Sequence, residues 1–176
     1  MNLPFEENEL EILRVLDQIL CEKIIRAGLD SLAQQTELAQ DPASIIAWVP
    51  VPLALYDQKL PGNIRSSWIF ILRAGFTTGA ERHPNSRQRM MSYRGSGDLQ
   101  TRTAEYRDTN WLVSDLRAPL ERRWISIPPN TWHQAVVPEE NWIVISFHTV
   151  PEHQLIEERP DPESAEMTKQ RRYVQE

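Results

Sequence analysis

The chain has 176 residues, of which 40% are hydrophobic and six are tryptophan, which is enough to bury one substantial core in a single domain. Its formal net charge of -6 at pH 7 excludes a broadly basic surface, so we expect neither nucleic acid nor a membrane as a partner. The single cysteine, Cys21, excludes an internal disulfide and a thiolate metal cluster. Because the opening MNLPFEENELEI does not resemble a signal peptide and no run of about 18 apolar residues exists, we predict a soluble cytoplasmic protein.

The first 45 residues are predicted to form a helical extension. Leucines and isoleucines recur at helical spacing between residues 7 and 40. Gly28 interrupts this pattern, so we expect two helices that are broken at residues 27–30. Cys21 falls inside the pattern and is interpreted as a small buried hydrophobic residue.

Residues 46–150 are predicted to form a β-barrel. Prolines in WVPVPLALYD and LPGN indicate an edge strand followed by a turn. After residue 65, turn residues separate the short apolar runs SSWIFIL, RMMSYR, NWLVSD, RRWISI, HQAVV and NWIVISFH, a spacing typical of an all-β sandwich or barrel. Residues 151–176 are charged and contain ERPDPES, so we predict a solvated C-terminal tail or a short terminal helix there.

Four potential metal donors occur at two places in the predicted barrel. Glu81 and His83 are two residues apart, so in an extended strand both project to one face and can chelate one ion. Gln88 and His133 have to arrive from other strands. Two imidazoles and one carboxylate suit Fe(II) in oxygenases, although Zn, Mn or Ni can use the same donors. Gln88 is then either a weak fourth ligand or a hydrogen-bond partner of the ligands.

The spacing of these residues resembles that of the cupins, a family of small jelly-roll β-barrels, over residues 67–149. The first cupin motif runs Gly, five residues, His-x-His, three or four residues, Glu, six residues, Gly. Here the same spacing joins Gly75, Glu81-Arg82-His83, Gln88 and Gly95, with two of the four ligand positions changed. The second motif, Pro-x-Gly-x-x-His, matches residues 128–133, with Asn130 at a turn where Gly or Asn can take a positive φ. The resemblance implies a mainly β, single jelly-roll barrel, a small-molecule ligand or substrate, and a homodimer.

Strand alternation adds candidate pocket residues. If Gln88 faces inward, Met90 and Ser92 share its face. Trp132 adjoins His133 and is the tryptophan best placed for a role in the site. In NWIVISFH either face can line the barrel. We interpret the aliphatic face as the core, which directs His148 outward or into a subunit contact, but we keep His148 as a pocket candidate.

Five arginines lie close to the first motif. A guanidinium group inside the pocket would bind a carboxylate in a bidentate manner and favour an acidic substrate. Alternatively, these arginines point outward and pair with the many Asp and Glu residues. They are Arg73, Arg82, Arg87, Arg89 and Arg94.

Three functional hypotheses stay open. The first is a metal-dependent enzyme, resembling an Fe(II) dioxygenase, that acts on a small organic acid or related metabolite. The second is a metal-free cupin that binds a small molecule through the same residues. The third is an isomerase of the sugar-epimerase kind, with His83 or His133 as the base and Tyr93 or Tyr106 as the acid. The sequence contains no G-x-S-x-G elbow, P-loop or H-E-x-x-H motif, so it does not support nucleophilic catalysis.

Overall fold

The computed structural model describes residues 7–102, 107–161 and 164–172. Its helices are α1 (Glu7–Cys21), α2 (Lys23–Ala39) and the short α3 (Leu120–Arg123). Its strands are β1 (Ile46–Pro50), β2 (Ser66–Leu72), β3 (Phe76–Thr77), β4 (Gln88–Arg94), β5 (Ser96–Arg102), β6 (Arg107–Asp108), β7 (Trp111–Val113), β8 (Trp124–Ile127), β9 (Trp132–Val137), β10 (Trp142–His148), β11 (Ile156–Asp161) and β12 (Ser164–Arg172). Within these ranges, no helix has the length and apolar character needed to cross a membrane.

Two antiparallel sheets pack face to face. The first sheet has the strand order β1-β2-β10-β4-β8, and the second has the order β3-β9-β5-β6, with β7 also paired to β5. An inner core between the sheets contains Phe70 and Val144 from the first sheet and Leu99 and Ala135 from the second. The predicted mainly β jelly roll with a helical N-terminal segment is therefore confirmed, as is the predicted edge strand, which is β1.

The first sheet is buried on both faces because α1 and α2 cover its outer side. Every residue of β2 and of β10 is buried. Ile69 and Ile145 pack with Leu16 and Leu29 of the helices, whereas their neighbours along each strand face the inner core. A sheet covered on both sides needs apolar residues at nearly every position, which explains the continuous apolar runs of these strands.

Buried polar contacts fix α1 to the sheet. Arg89 of β4 donates from Nε and Nη2 to the two carboxylate oxygens of Glu9, over 2.7 and 2.9 Å. Trp124 of β8 donates from Nε1 to Asp17 Oδ1 over 2.8 Å. Charge-assisted bonds of this kind are directional, so they fix the register of the helix on the sheet in a way that apolar packing alone does not.

The helices differ from the prediction in where they break. The break lies at Glu22, and Gly28 is inside α2. A Cβ at position 28 would lie 2.5 Å from Leu55 Cδ1, so the glycine is there for close packing rather than for ending a helix. Cys21, which was predicted to be buried, is exposed at the end of α1.

The described part of the C-terminal segment is also different from the predicted solvated tail or helix. β11 and β12 form an antiparallel hairpin. Leu155 is fully buried in the inner core, and Glu157 is 1% exposed. The backbone of Glu158 exchanges two hydrogen bonds of 3.0 Å with Arg82. This hairpin therefore lies directly beside the first motif.

Candidate metal centre

Backbone pairing brings the two motifs together. Glu81 and His133 are opposite each other in an antiparallel bridge, with N–H to O distances of 2.9 and 2.8 Å in the two directions. Side chains of directly opposed residues lie on the same face of a sheet, and His83, two residues further on, shares that face. One donor atom from each of Glu81, His83 and His133 lies within 4.8 Å of the others. These three predicted donors therefore converge.

The turn of the second motif has the predicted conformation. Asn130 has φ of 63°, in the left-handed region that Asn tolerates better than other side chains. Its N–H donates to the carbonyl oxygen of His83 over 3.1 Å. Asn130, which stands where the cupin motif has Gly, is therefore compatible with the turn. The turn itself contacts the first motif.

Both histidines are oriented by backbone carbonyls. His83 and His133 are 3% and 4% exposed. His83 Nδ1 lies 3.0 Å from the Ile156 oxygen, and His133 Nδ1 lies 3.1 Å from the Thr131 oxygen. A carbonyl only accepts, so each Nδ1 carries a proton, and Nε2 is the ring nitrogen left to bind a metal. Burial lowers the pKa of His83, which favours the neutral form that binds metals.

Glu81 is an ionised carboxylate held from two sides. Its Oε1 lies 3.4 Å from His133 Nε2, and its Oε2 accepts a bond from Arg159 Nη2 over 2.5 Å. Burial alone would raise its pKa, but the contact with the His133 ring and the positive charge of Arg159 outweigh burial and lower the pKa to about 2. Two neighbouring ligands about 2.1 Å from one ion and about 90–110° apart are separated by about 3.0–3.4 Å. The spacing of these two atoms therefore fits two ligands of one metal ion.

Arg159 is a residue of the site that sequence analysis missed. Its guanidinium group donates from Nε to Glu157 Oε1 over 2.5 Å, and from Nη1 to the carbonyl oxygen of Thr78 over 3.3 Å, in addition to its bond with Glu81. It reaches the site from β11, 78 residues beyond Glu81. The charged segment around Arg159 gives no local sign of burial, so only the hairpin reveals its position.

A cavity lies between the two sheets beside Glu81 and His133. Its polar lining consists of these two residues together with Thr78 and Gln88. The remaining lining residues are apolar: Ile46, Phe70, Leu72, Met90, Leu99, Ala135 and Val144. No Lys or Arg is among them in the described part of the chain. The cavity is therefore mainly apolar, and its few polar lining residues include Glu81 and His133, two of the three candidate metal donors.

The five arginines near the first motif make their side-chain contacts outside this cavity. Arg82, Arg89 and Arg94 pair with the carboxylates of Glu158, Glu9 and Glu37. Arg87 donates to Ser126 Oγ, and Arg73 donates to the backbone oxygens of residues 41 and 42. The structure thus supports the outward-pairing alternative and removes the argument for an acidic substrate that rested on these five residues.

The predicted pocket residues have different positions. Gln88 and Met90 line the cavity. Ser92 is buried on the same strand, but its hydroxyl donates to the Gly95 oxygen and accepts from Trp142 Nε1. Trp132 lies on the face of β9 opposite to His133, with the Arg82 guanidinium 4.8 Å from its ring, so it is not a pocket residue.

His148 faces the interior of the sandwich, and our interpretation of its strand was wrong. The face of β10 that carries His148 lines the inner core, whereas the aliphatic face packs under the helices. The His148 ring centroid lies 5.0 Å from that of His83. Burial holds the pKa of His148 well below its usual value, so its ring is neutral.

The two predicted tyrosine acids give the epimerase hypothesis no support. Tyr93 packs in the core between the first sheet and the helices, and its hydroxyl donates to Asp30 of α2 over 2.8 Å. It is on the opposite side of the sheet from Gln88 and Met90. Tyr106 lies outside the described residues.

No family model matches the sequence, and no curated protein matches it either. Among solved structures, the chain is similar to the coconut allergen cocosin, with a TM-score of 0.52 and 13% identity over 68% of this chain and 29% of that one. It is also similar to the capsular polysaccharide assembling protein CapF of Staphylococcus aureus (TM-score 0.49, 14% identity, 73% and 30% coverage) and to oxalate oxidase in complex with the substrate analogue glycolate (TM-score 0.48, 11% identity, 63% and 55% coverage).

The chain spans less than a third of the length of the cocosin and CapF chains. At 13% identity, the likeness to cocosin concerns the fold alone. Cocosin has the cupin fold, and the two face-to-face antiparallel sheets with both motifs at one cavity agree with it. The described chain therefore has the cupin jelly-roll fold, with a helical N-terminal segment packed on the outside.

Proposed function

We propose that this protein is a metal-dependent cupin enzyme in which Glu81, His83 and His133 bind one divalent ion, best Fe(II). One observation carries the proposal. Two buried histidines, whose Nδ1 atoms are held by backbone carbonyls, each offer a donor atom within 4.8 Å of a carboxylate oxygen of Glu81, and Glu81 and His133 line a mainly apolar cavity. Metal-binding histidines are typically held in this way by a second hydrogen bond.

The donor set favours Fe(II) over the alternatives. Two imidazoles and one carboxylate leave coordination positions open, and this set is typical of Fe(II) oxygenases. When bound, such an ion supplies redox chemistry and open positions for oxygen and substrate. The protein residues contribute positioning: Arg159 holds one oxygen of Glu81, which leaves the other directed at His133. Mn, Ni or Zn can occupy the same donors.

The substrate in this proposal is a small metabolite that fits between the two sheets. A small organic acid is compatible with it only if the carboxylate binds the metal, because the described lining offers no cationic side chain. We retain a homodimer as part of the proposal, because it is what the cupin resemblance implies.

A metal-free binding protein is the second candidate, and one contact favours it. Arg159 already neutralises Glu81 over 2.5 Å, so the carboxylate has a counter-charge without an ion. In that case the cavity binds a small molecule directly through Gln88 and His133.

Metal content tests the proposal. The protein is purified without chelator or affinity metal and is then reconstituted anaerobically with Fe(II), Mn(II), Ni(II) or Zn(II). We expect about one ion per chain and, for the Fe(II) form, oxygen consumption with a substrate that fits the cavity. Protein that takes up none of the four ions contradicts the proposal and favours the metal-free candidate.

Replacing Arg159 distinguishes two roles for it, which are to orient Glu81 for a metal ion or to compete with that ion for Glu81. If Arg159 orients Glu81 for a metal, Arg159→Gln is expected to weaken metal affinity by about 10–100-fold, as loss of such an outer partner usually does. Competition with a chromophoric chelator measures this change. Arg82→Gln is the matched control, since Arg82 joins the same hairpin through Glu158 without touching the three donors. Tighter metal binding in Arg159→Gln would instead mean that Arg159 competes with the ion.

A further inference from the structure

Gln88 presents a buried acceptor to the cavity. The residue is 5% exposed and lines the cavity beside Glu81 and His133. Its Nε2 donates to Ser146 Oγ over 3.1 Å. Its Oε1 is buried and has no hydrogen-bond partner in the described part of the chain. A buried acceptor without a partner lowers stability, so its presence at a cavity wall indicates that something else supplies the donor.

The orientation of the Gln88 amide follows from counting hydrogen bonds. With Nε2 towards Ser146, the Ser146 hydroxyl donates to His148 Nε2 (3.0 Å), and His148 Nδ1 donates to Ser86 Oγ (3.3 Å). The Ser86 hydroxyl is then free to donate to the carbonyl oxygen of Arg87 over 3.1 Å, which makes four bonds. If the amide is turned over, the three hydrogen bonds between Gln88, Ser146, His148 and Ser86 all reverse their direction. The Ser86 hydroxyl then donates to His148, so its bond to the Arg87 carbonyl oxygen is lost. The network therefore directs Oε1 into the cavity.

The surroundings of Oε1 define what it can bind. Apart from the four polar lining residues, the cavity wall consists of aliphatic side chains, Met90 and Phe70. An anionic group beside Gln88 would be repelled by the amide oxygen, which is itself an acceptor. The described cavity lining contains no cationic side chain that could pair with such a group. A hydroxyl or amide-type N–H group satisfies the acceptor and keeps the rest of the molecule in apolar contact.

We propose that the substrate is a mainly apolar small molecule carrying a neutral donor group, such as an alcohol or phenol, which donates to Gln88 Oε1. Ser146 acts as a positioning residue, because it fixes which end of the amide faces the cavity. This inference deepens the proposed function by naming the substrate class, and it rests on that function for the reaction that follows binding.

Three probes of similar size test this inference: benzyl alcohol, which has a donor; acetophenone, which has an acceptor; and toluene, which has neither. Their affinities are measured by ligand-observed NMR on metal-free and Zn-loaded protein. We expect benzyl alcohol to bind the wild type about tenfold more tightly than acetophenone. Gln88→Met should weaken benzyl alcohol by about tenfold, to the level of toluene, while toluene itself is unchanged.

Ser146→Ala tests the positioning role. Without the Ser146 hydroxyl the Gln88 amide can turn, so the preference for benzyl alcohol over acetophenone should fall from about tenfold to about twofold. A general loosening of the core would weaken all three probes alike. Ser92→Ala is the matched control, because its buried hydroxyl bonds to Gly95 and Trp142 instead, and it should keep the preference.

Three results would overturn the inference. One is equal binding of benzyl alcohol and toluene to the wild type, and another is the absence of saturable binding by any probe. The third is a large loss of metal affinity in Gln88→Met, which would make Oε1 a metal ligand. Failure of the proposed function is separable from these: protein that takes up no metal but keeps the Gln88-dependent preference rejects the metal and retains the substrate class.

Discussion

Replacing Glu81 and His133 together with alanine is expected to abolish metal uptake and to leave the fold intact. The double variant keeps only His83 as a strong ligand. Structural zinc sites with four ligands gain about 10–16 kcal/mol in total, so the loss of two ligands should weaken affinity by at least about a thousandfold. The fold should survive because Arg159 keeps its bonds to Glu157 and to the Thr78 carbonyl. Elemental analysis after reconstitution, with circular dichroism on the same samples, measures both properties.

A second double variant controls for the residue types removed. Glu139 and His153 are exposed and lie outside the group of three donors. Glu139→Ala with His153→Ala removes one carboxylate and one imidazole, as the first variant does, and should bind metal like the wild type. If the Glu81/His133 variant retains its metal, or if both double variants lose it equally, the assignment of the site is wrong.

The convergence of the three donors could be predicted because it depends on local geometry. Two residues apart on an extended segment, Glu81 and His83 must share a face, whatever the rest of the chain does. The turn at Asn130 is equally local, and its φ of 63° matches the prediction. Only the pairing of Glu81 with His133 needed information from beyond the two segments, and the cupin resemblance supplied it.

The face on which His148 lies could not be predicted, for a physical reason. Period-two alternation identifies the inner face of a strand only when the other face is exposed to water. The helical extension buries Ile145 and its neighbours on the outer face, so both sets of side chains in β10 are buried. The sequence of the strand contains no sign of which set faces the second sheet.

Arg159 illustrates a different limit. It stands in a charged segment whose composition is typical of solvated chain, and its partners Glu81 and Thr78 are about 80 residues away. Local composition describes the average environment of a segment and does not identify one guanidinium group that reaches a buried carboxylate. Long-range ion pairs of this type become visible only when the hairpin is placed beside the first motif.

Removing Arg89 is expected to lower the free energy of unfolding by about 3–5 kcal/mol, because Arg89→Met leaves Glu9 buried without its counter-charge. Arg89 and Glu9 are 2% and 8% exposed, and besides Arg89 the Glu9 carboxylate accepts a bond from Ser126 over 2.6 Å. Urea unfolding measures the loss. The double variant Glu9→Leu/Arg89→Met should regain most of it, since an apolar pair of similar volume is often as stable as a buried ion pair. Arg94→Gln, which removes the exposed partner of Glu37, should cost less than about 1 kcal/mol.

The ion pair between Glu9 and Arg89 also makes the free energy of unfolding depend on pH, in a direction that follows from the pKa of Glu9. Burial raises the pKa of Glu9, but the hydrogen bonds from Arg89 and Ser126 and the charges of Arg89 and Arg87 outweigh burial, so the pKa is lowered from 4.5 in the folded protein. A group with a lowered folded pKa stabilises the fold above its unfolded pKa and loses that contribution as the pH falls through the folded value. The wild type should therefore lose stability relative to the apolar double variant as the pH falls below 4.5. If the difference in unfolding free energy between the wild type and the double variant does not change with pH, the pair contributes to packing alone. If Arg89→Met is as stable as the double variant, α1 is not held by this charge pair.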